Sequence, residues 1–395
     1  MKIYLFDLVP YGEQFKDLTD LPYPLPGKYF RPEVANRTYK EHFQAWQLME
    51  DLGFDGVGFN EHHTTPHGLM NSPNMMIAAA SQRTKKLKFF VMGHLLPMHN
   101  PLRIAEETAM ADQLSDGRVI VGLARGAPRE YHVFSMPVNE ARERFEESHD
   151  IIMKAWTQET FSHEGKYWSF KDLSIWPKPF QQPHPPIWIP VTGSKETLDW
   201  AADRNYPIVL PEFARGIIED VIGYYAKALG RKGHKAQPDN MMLFADAFVA
   251  ESQAKAVEEF GPYYCYFQNM LFGHGNAMAL SRLGSARNPS SYDYIRPENK
   301  ALLAGDRVKT GAFTMDDVKK RVAERTAWGS PKEVIERIID EAEHAGVNNM
   351  LLNVNLGAMP HEMFMEQIRR FGEEVLPALQ AHNVKRVRPA EMVGA

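Results

Sequence analysis

Three side chains able to move protons or accept hydrogen bonds, Glu61, His62 and His63, stand together at the end of the apolar run Asp55-Gly56-Val57-Gly58-Phe59-Asn60. The run reads as a β-strand buried on both faces, so the triad gathers at the C-terminal tip of a strand with no polar surface of its own. Histidine changes charge around pH ~6.5 and suits acid–base work. A metal site is the weaker alternative. Adjacent side chains on an extended segment point to opposite sides, and no Asp or Glu at helical spacing completes a zinc set. One of the two histidines also fits the ordinary role of a hydrogen-bonded core residue.

A second group is Gly193-Ser194-Lys195-Glu196-Thr197, which starts a helix directly after a strand. Ser194 and Thr197 offer hydroxyls, and the first N–H groups of a helix have no partner within it, so the segment suits a phosphate or other anion. Arg125, at the end of another strand, offers a planar fork to the same anion. The plain alternative is an N-cap at Ser194 and a surface ion pair at Arg125. Further candidates at strand ends are Phe6 and Asp7, then Gly93 and His94.

These residues need elements that bring their tips to one place. Eight short apolar segments read as strands: 3–9, 56–60, 87–92, 119–123, 187–191, 207–210, 243–249 and 350–354. Helical patterns fall between them at 39–52, 103–114, 139–156, 195–204, 215–229, 331–345 and 361–376. Ser330-Pro331-Lys332-Glu333 carries an N-cap, a Pro at the first helical position and a Glu at the third. Repeated strand–helix units imply right-handed crossovers and a parallel sheet, and eight of them imply a closed (β/α)8 TIM barrel of the α/β class. A barrel's chemistry sits at the C-terminal ends of its strands, where the groups above fall.

The whole chain, 1–395, reads as a single barrel domain. Segments 11–36, 164–186 and 260–316 interrupt the repeat and are expected as insertions at the active-site face, serving as lids or subunit contacts. Residues 284–309 read equally well as a surface loop.

Composition bounds the rest. The chain of 395 residues is 44% hydrophobic, enough for a large core. A formal net charge of −5 gives no basic footprint for nucleic acid or an anionic membrane. Cys265 is the one cysteine, which excludes an internal disulfide framework. No signal-peptide pattern or bilayer-length apolar run is evident, so a soluble cytoplasmic protein is expected. Twenty methionines read mostly as adaptable core filler. Met70, Met75, Met76, Met92 and Met98 alternatively line an apolar pocket with Tyr11, Phe15, Trp46 and Phe272. Arg287, Arg296 and Arg307 are candidate anion contacts at its mouth, or solvated loop charges.

Taken in order, several motifs resemble the bacterial luciferase-like flavin-dependent monooxygenases. They are Glu61-His62-His63, Leu95-Leu96-Pro97-Met98-His99-Asn100-Pro101, residues 112–118, Gly122-Leu123-Ala124-Arg125-Gly126, Gly193-Ser194 with Trp200-Ala201-Ala202, and 329–333. The resemblance spans nearly the whole chain outside 11–36 and 260–316. It implies a barrel that binds reduced FMN with its phosphate at Arg125, Gly193, Ser194 and Thr197. His62 matches the family's acid–base histidine. Met92-Gly93 matches a segment beside the isoalloxazine ring, often joined by a cis peptide, and Phe6 and Glu61 line the pocket.

The activity implied is oxygenation of a small organic substrate through a C4a-peroxyflavin. The family's reduced flavin comes from a separate reductase, and many members are homodimers. Ala124 stands where the luciferases carry a reactive cysteine, which argues against light emission. Gly193 replaces an acidic residue of the luciferase phosphate loop. F420-dependent hydride transfer and non-catalytic flavin binding are the alternatives.

Overall fold

Eight parallel strands close on themselves in the computed structural model, which describes residues 1–15, 25–270, 289–300, 312–324 and 326–392. The strands are β1 (Lys2–Asp7), β2 (Gly56–Phe59), β3 (Lys88–Val91), β4 (Val119–Ala124), β5 (Ile187–Pro190), β6 (Ile208–Leu210), β7 (Met241–Val249) and β8 (Asn349–Asn353). Each pairs with the next in chain order, and β8 pairs with β1, which completes the cylinder. All eight strands expected from the sequence are present. Around them run α1 (Pro32–Asp51), α2 (Pro73–Ser81), α3 (Pro101–Leu114), α4 (Pro128–Val133), α5 (Ala141–Thr157) and α6 (Lys195–Asp203). The ring continues with α7 (Arg215–Gly230), α8 (Gln253–Gln268), α9 (Met315–Glu324), α10 (Pro331–Ala345) and α11 (His361–Arg370). Among the described residues no helix is long and apolar enough to cross a membrane.

Alternation along β1 shows how the layers are assigned. Asp7 accepts hydrogen bonds from Trp46 Nε1 at 2.8 Å and from His42 Nδ1, both on α1, and from the backbone N–H of Val9 at 2.9 Å. Asp7, and with it Leu5 and Ile3, therefore faces the helices, while Tyr4 and Phe6 face the lumen. Phe6 meets Phe244 of β7 edge to face inside the barrel, with ring centroids 5.2 Å apart. Gly58 of β2 leaves the lumen free for Leu351 of β8, whose Cδ1 would lie 2.6 Å from a Cβ added at position 58. The helix ends follow the sequence signals. Ser330 and Glu333 form both bonds of a capping box on α10, and Gly346 ends that helix at φ +73°.

Two expectations change. First, α1 begins at Pro32 rather than near residue 39, because a proline at the first helical position extends the helix into the aromatic-rich stretch. Second, 164–186 does not lie at the active-site face. It joins the end of α5 to the start of β5, and in a parallel barrel that connection falls at the N-terminal end of the strands. There Gln181 Nε2 donates to the carbonyl of Val119, the first residue of β4, at 2.8 Å. Part of the segment belongs to an antiparallel hairpin of Phe161–Glu164 with Ser169–Leu173. Within the third insertion, α8 continues to Gln268 and residues 289–300 are described, whereas 271–288 and 301–311 lie outside the described residues.

Replacing Asp7 by Ala removes the acceptor for three buried donors and is expected to cost about 3 kcal/mol. Denaturant unfolding checks this as a lower midpoint at unchanged slope; a loss below ~1 kcal/mol would show that Asp7 does not anchor α1.

Candidate active site

The C-terminal ends of β2, β3, β4 and β5 bring the expected groups to one mouth. Arg125 follows β4, and α6 starts after β5. Gly193 takes φ +87°, a conformation that disfavours side chains, and turns the chain into α6. Ser194 stands at the N-cap but makes no side-chain capping bond. Its Oγ instead lies 2.8 Å from Thr197 Oγ1, so the plain capping alternative does not hold. Arg125 Nη2 lies 3.5 Å from that same Thr197 oxygen, and Arg142 Nη2 of α5 donates to it at 3.0 Å. Burial, with the nearby Arg125 charge adding to it, lowers the Arg142 pKa. The partly exposed Glu146, at 3.5 Å, and Glu196 in the first turn of α6 offer partial compensation. Two guanidiniums, two hydroxyls and a helix N-terminus therefore converge at one point.

Arg142 was not among the sequence candidates. It sits in the first turn of an amphipathic helix, where arginine reads as a solvated face, and only the tertiary fold brings it to Thr197. Residues 291–294 brace the same loop. Tyr294 OH donates to the Gly193 carbonyl, Ser291 Oγ donates to Glu196 at 2.9 Å, and Lys195 pairs with Asp293 at 2.9 Å.

At the end of β3 the ladder breaks. Phe90 pairs with Ile120 of β4, and pairing resumes only at His94 and Leu95, opposite Leu123 and Ala124. Met92 and Gly93 form the break. Gly93 takes φ +130°, and a Cβ there would come within 2.5 Å of the Ala124 Cβ. The Met92–Gly93 bond is trans, contrary to the cis form common in the resembled family; the cis bonds among the described residues precede Pro177 and Pro183.

The opening triad separates into two clusters. Glu61 is buried and accepts from His63 Nε2 at 3.1 Å, from His99 Nε2, and from the Leu95 N–H at 3.1 Å. Burial raises the Glu61 carboxyl, but the His63 and His99 bonds outweigh it and bring the pKa to about 2. Burial lowers His99, and its bond to Glu61 reverses that, so His99 is raised overall. His94, fully enclosed, is lowered to about 4 by burial despite Glu61. The ligand atoms of Glu61, His63 and His99 lie within 4.8 Å of one another and are donor types a divalent cation uses. The hydrogen bonds of both Glu61 oxygens make the group read first as a protein-satisfied network.

His62 turns the other way. Its Nδ1 lies 2.9 Å from Glu130 Oε1 of α4, a residue that sequence reasoning did not single out. Arg129 reaches both Glu130 Oε1 and His67 Nδ1, at 3.2 and 3.4 Å. Around them Asn60 Oδ1 and Nδ2, His67 Nε2, Arg129 Nε and Glu130 Oε2 are buried without a protein partner.

Across the lumen Asp246 of β7 accepts from Asn353 of β8 at 3.0 Å. Burial, with Glu212 adding and Arg321 opposing, raises the Asp246 carboxyl to about 7. It was missed because it interrupts an otherwise apolar strand.

The remaining expectations divide. Phe6 faces the lumen. Met70 is buried, but Met75 is 72% exposed on α2. Trp46 is fully buried against Phe59, in the layer between α1 and the barrel. Arg296 is held by Asp220 and Glu219, which explains its charge without a substrate. Phe272, Arg287 and Arg307 lie outside the described residues.

The sequence profile of the luciferase-like monooxygenases matches residues 25–349. The chain belongs to the luciferase-like monooxygenase family. Among family relatives, the oxygenase component of a flavin-dependent trigonelline monooxygenase from Acinetobacter baylyi is 26% identical over 90% of this chain and 93% of its own length. An alkanal monooxygenase alpha chain from the Kryptophanaron alfredi symbiont is 24% identical over 85% and 91%. The barrel is shared with the oxygenating constituent of 3,6-diketocamphane monooxygenase from Pseudomonas putida, solved with FMN (TM-score 0.74, 21% identity, 98% of this chain and all of that one). An F420-dependent secondary alcohol dehydrogenase shares the fold at TM-score 0.64 and 17% identity, over 96% of this chain and 98% of that one.

The Glu61 network has a pH signature. Its folded pKa is depressed, so its stabilisation is present above the ordinary value of 4.5 and is lost as pH falls towards 2. The stability difference between the wild type and Glu61→Gln is expected to be full at pH 6 and to vanish across that acid window. A difference independent of pH would contradict an ionised Glu61.

Proposed function

We propose that this protein is a two-component monooxygenase that uses reduced FMN from a separate reductase to oxygenate a small organic substrate with O2. The observation that carries the reading is the convergence of Arg125 and Arg142 on Thr197 at the α6 N-terminus, in the same mouth as His62. Two cations with partial compensation suit a phosphate dianion, and the Ser194 and Thr197 hydroxyls can donate to it. Phe6, Met92 and Gly93 add apolar surface and bare backbone suited to an aromatic ring system. When bound, reduced FMN supplies the electrons that activate O2. His62 takes up or returns a proton beside the reacting oxygen. Glu61 holds the strand-two tip against the His94–His99 segment. The Acinetobacter relative's name and the FMN in the Pseudomonas structure support a flavin and a reductase partner. Met75, Met110 and Leu114, exposed on α2 and α3, support a homodimer through those helices.

The F420-dependent neighbour favours a second reading, hydride transfer with a deazaflavin held in the same cradle. A screen of apolar ketones, thioethers and sulfonates with a flavin reductase separates the two. Substrate-dependent O2 consumption and an oxygenated product are expected, with no binding of F420. Hydride transfer from reduced F420, or oxidised FMN held without any turnover, would overturn the proposal. His62→Ala is expected to lower product formation by ~100-fold and to divert O2 to H2O2.

A further inference from the structure

We propose that Glu130 is a positioning residue that fixes His62 as its Nδ1–H tautomer and leaves the Nε2 lone pair to accept protons in the barrel mouth. What His62 acts on rests on the oxygenase reading above; the tautomer does not.

What each atom can donate or accept decides the tautomer. A carboxylate only accepts hydrogen bonds, and a neutral imidazole carries one N–H. Burial raises the Glu130 carboxyl, but the His62 bond, the His62 charge and Arg129 outweigh it and bring the pKa to about 2, so Glu130 is ionised near neutrality. Its Oε1, 2.9 Å from His62 Nδ1, must therefore be met by an N–H there. The remaining ring nitrogen of neutral His62 then has a lone pair and no proton to give. Free histidine prefers the opposite tautomer, so the protein imposes this one. Glu130 is 1% exposed at its side chain and Arg129 4%, whereas His62 is 29% exposed, so the pair is anchored on the buried side and open on the other.

The charged surroundings fit. Arg129 donates to Glu130 and to His67 Nδ1, and Thr65 Oγ1 lies 2.8 Å from that same nitrogen. Arginine only donates, so His67 Nδ1 accepts and His67 stays neutral; burial, and then Arg129, lowers its pKa well below the ordinary value. The His67 ring lies 5.0 Å from that of His62 and adds no second cation beside it. The His62 backbone is fixed as well, its N–H on the Met70 carbonyl at 3.2 Å and its carbonyl on Asn71 Nδ2 at 2.8 Å. A proton taken from an O–H in the mouth would form a bond to Nε2. The resulting imidazolium is balanced by Glu130, which keeps its own negative charge, as in other histidine–carboxylate pairs.

The test uses the full chain labelled with 15N-histidine, without cofactor, and long-range 1H–15N correlation spectra assigned by the loss of signals in His62→Gln. In the wild type the neutral His62 is expected to carry its proton on Nδ1 alone. In Glu130→Gln, which no longer demands a donor, the Nε2–H form is expected to appear, and in Glu130→Leu to dominate. A wild-type His62 protonated on Nε2, or spectra unchanged by both substitutions, would overturn the assignment. With reductase and substrate, Glu130→Gln is expected to raise the fraction of O2 released as H2O2 by ~10-fold at unchanged FMN affinity. If the spectra behave as expected but no flavin-supported oxygenation occurs, the oxygenase reading fails and the tautomer assignment stands. If oxygenation is coupled but the spectra fail, the positioning role alone is lost.

Discussion

The mouth of this barrel is organised around two arginines that share a threonine. Arg125 and Arg142 meet at Thr197, at a helix start that already favours negative charge, and Glu146 and Glu196 offset them in part. Like charges this close disfavour each other, and burial removes part of the water that would screen them. A bound anion would relieve that repulsion. The other features of the arrangement follow from holding that shape: Gly193 turns at positive φ, and Tyr294 and Ser291 brace the loop.

The second organising principle is the sorting of neighbouring histidines by two buried carboxylates. His63 turns to Glu61, which also gathers His99 and the Leu95 N–H, and so ties the β2 tip to the segment after β3. His62 turns to Glu130 on α4. One histidine is thereby committed to architecture, and the other presents a ring nitrogen to the mouth. Adjacent residues reach different fates because extended backbone sends them to opposite sides, and each side holds one acid.

Much of this was readable before the fold was known. The barrel is legible because the strands are short segments of four to seven residues, most of them continuous apolar runs of the kind that burial on both faces produces. The strand tips were readable for the same reason, since polar residues stand out after such runs. Arg142, Glu130 and Asp246 were not. Arg142 and Glu130 lie on helices where charge is the default, and Asp246 sits alone in an apolar strand. Each acquires its role only from a partner dozens of residues away. The 164–186 segment lies at the opposite end of the barrel from the one expected, because composition marks an insertion without saying which end of a strand it adjoins. Ala124 gains meaning only in space: it packs on Gly93, so a larger side chain at 124 would press on the break in β3.

The central claim is that the Arg125–Arg142–Thr197 cradle holds the phosphate of a flavin. The most direct measurement compares the binding of FMN and riboflavin to the full chain by flavin fluorescence or anaerobic titration, in the wild type and in Arg142→Ala. The account predicts that wild type binds FMN at least ~100-fold more tightly than riboflavin and that Arg142→Ala removes most of this gap, in line with charge-assisted hydrogen bonds worth about 1.5–3 kcal/mol each. Equal affinity for the two flavins in the wild type, or an unchanged gap in Arg142→Ala, would contradict it.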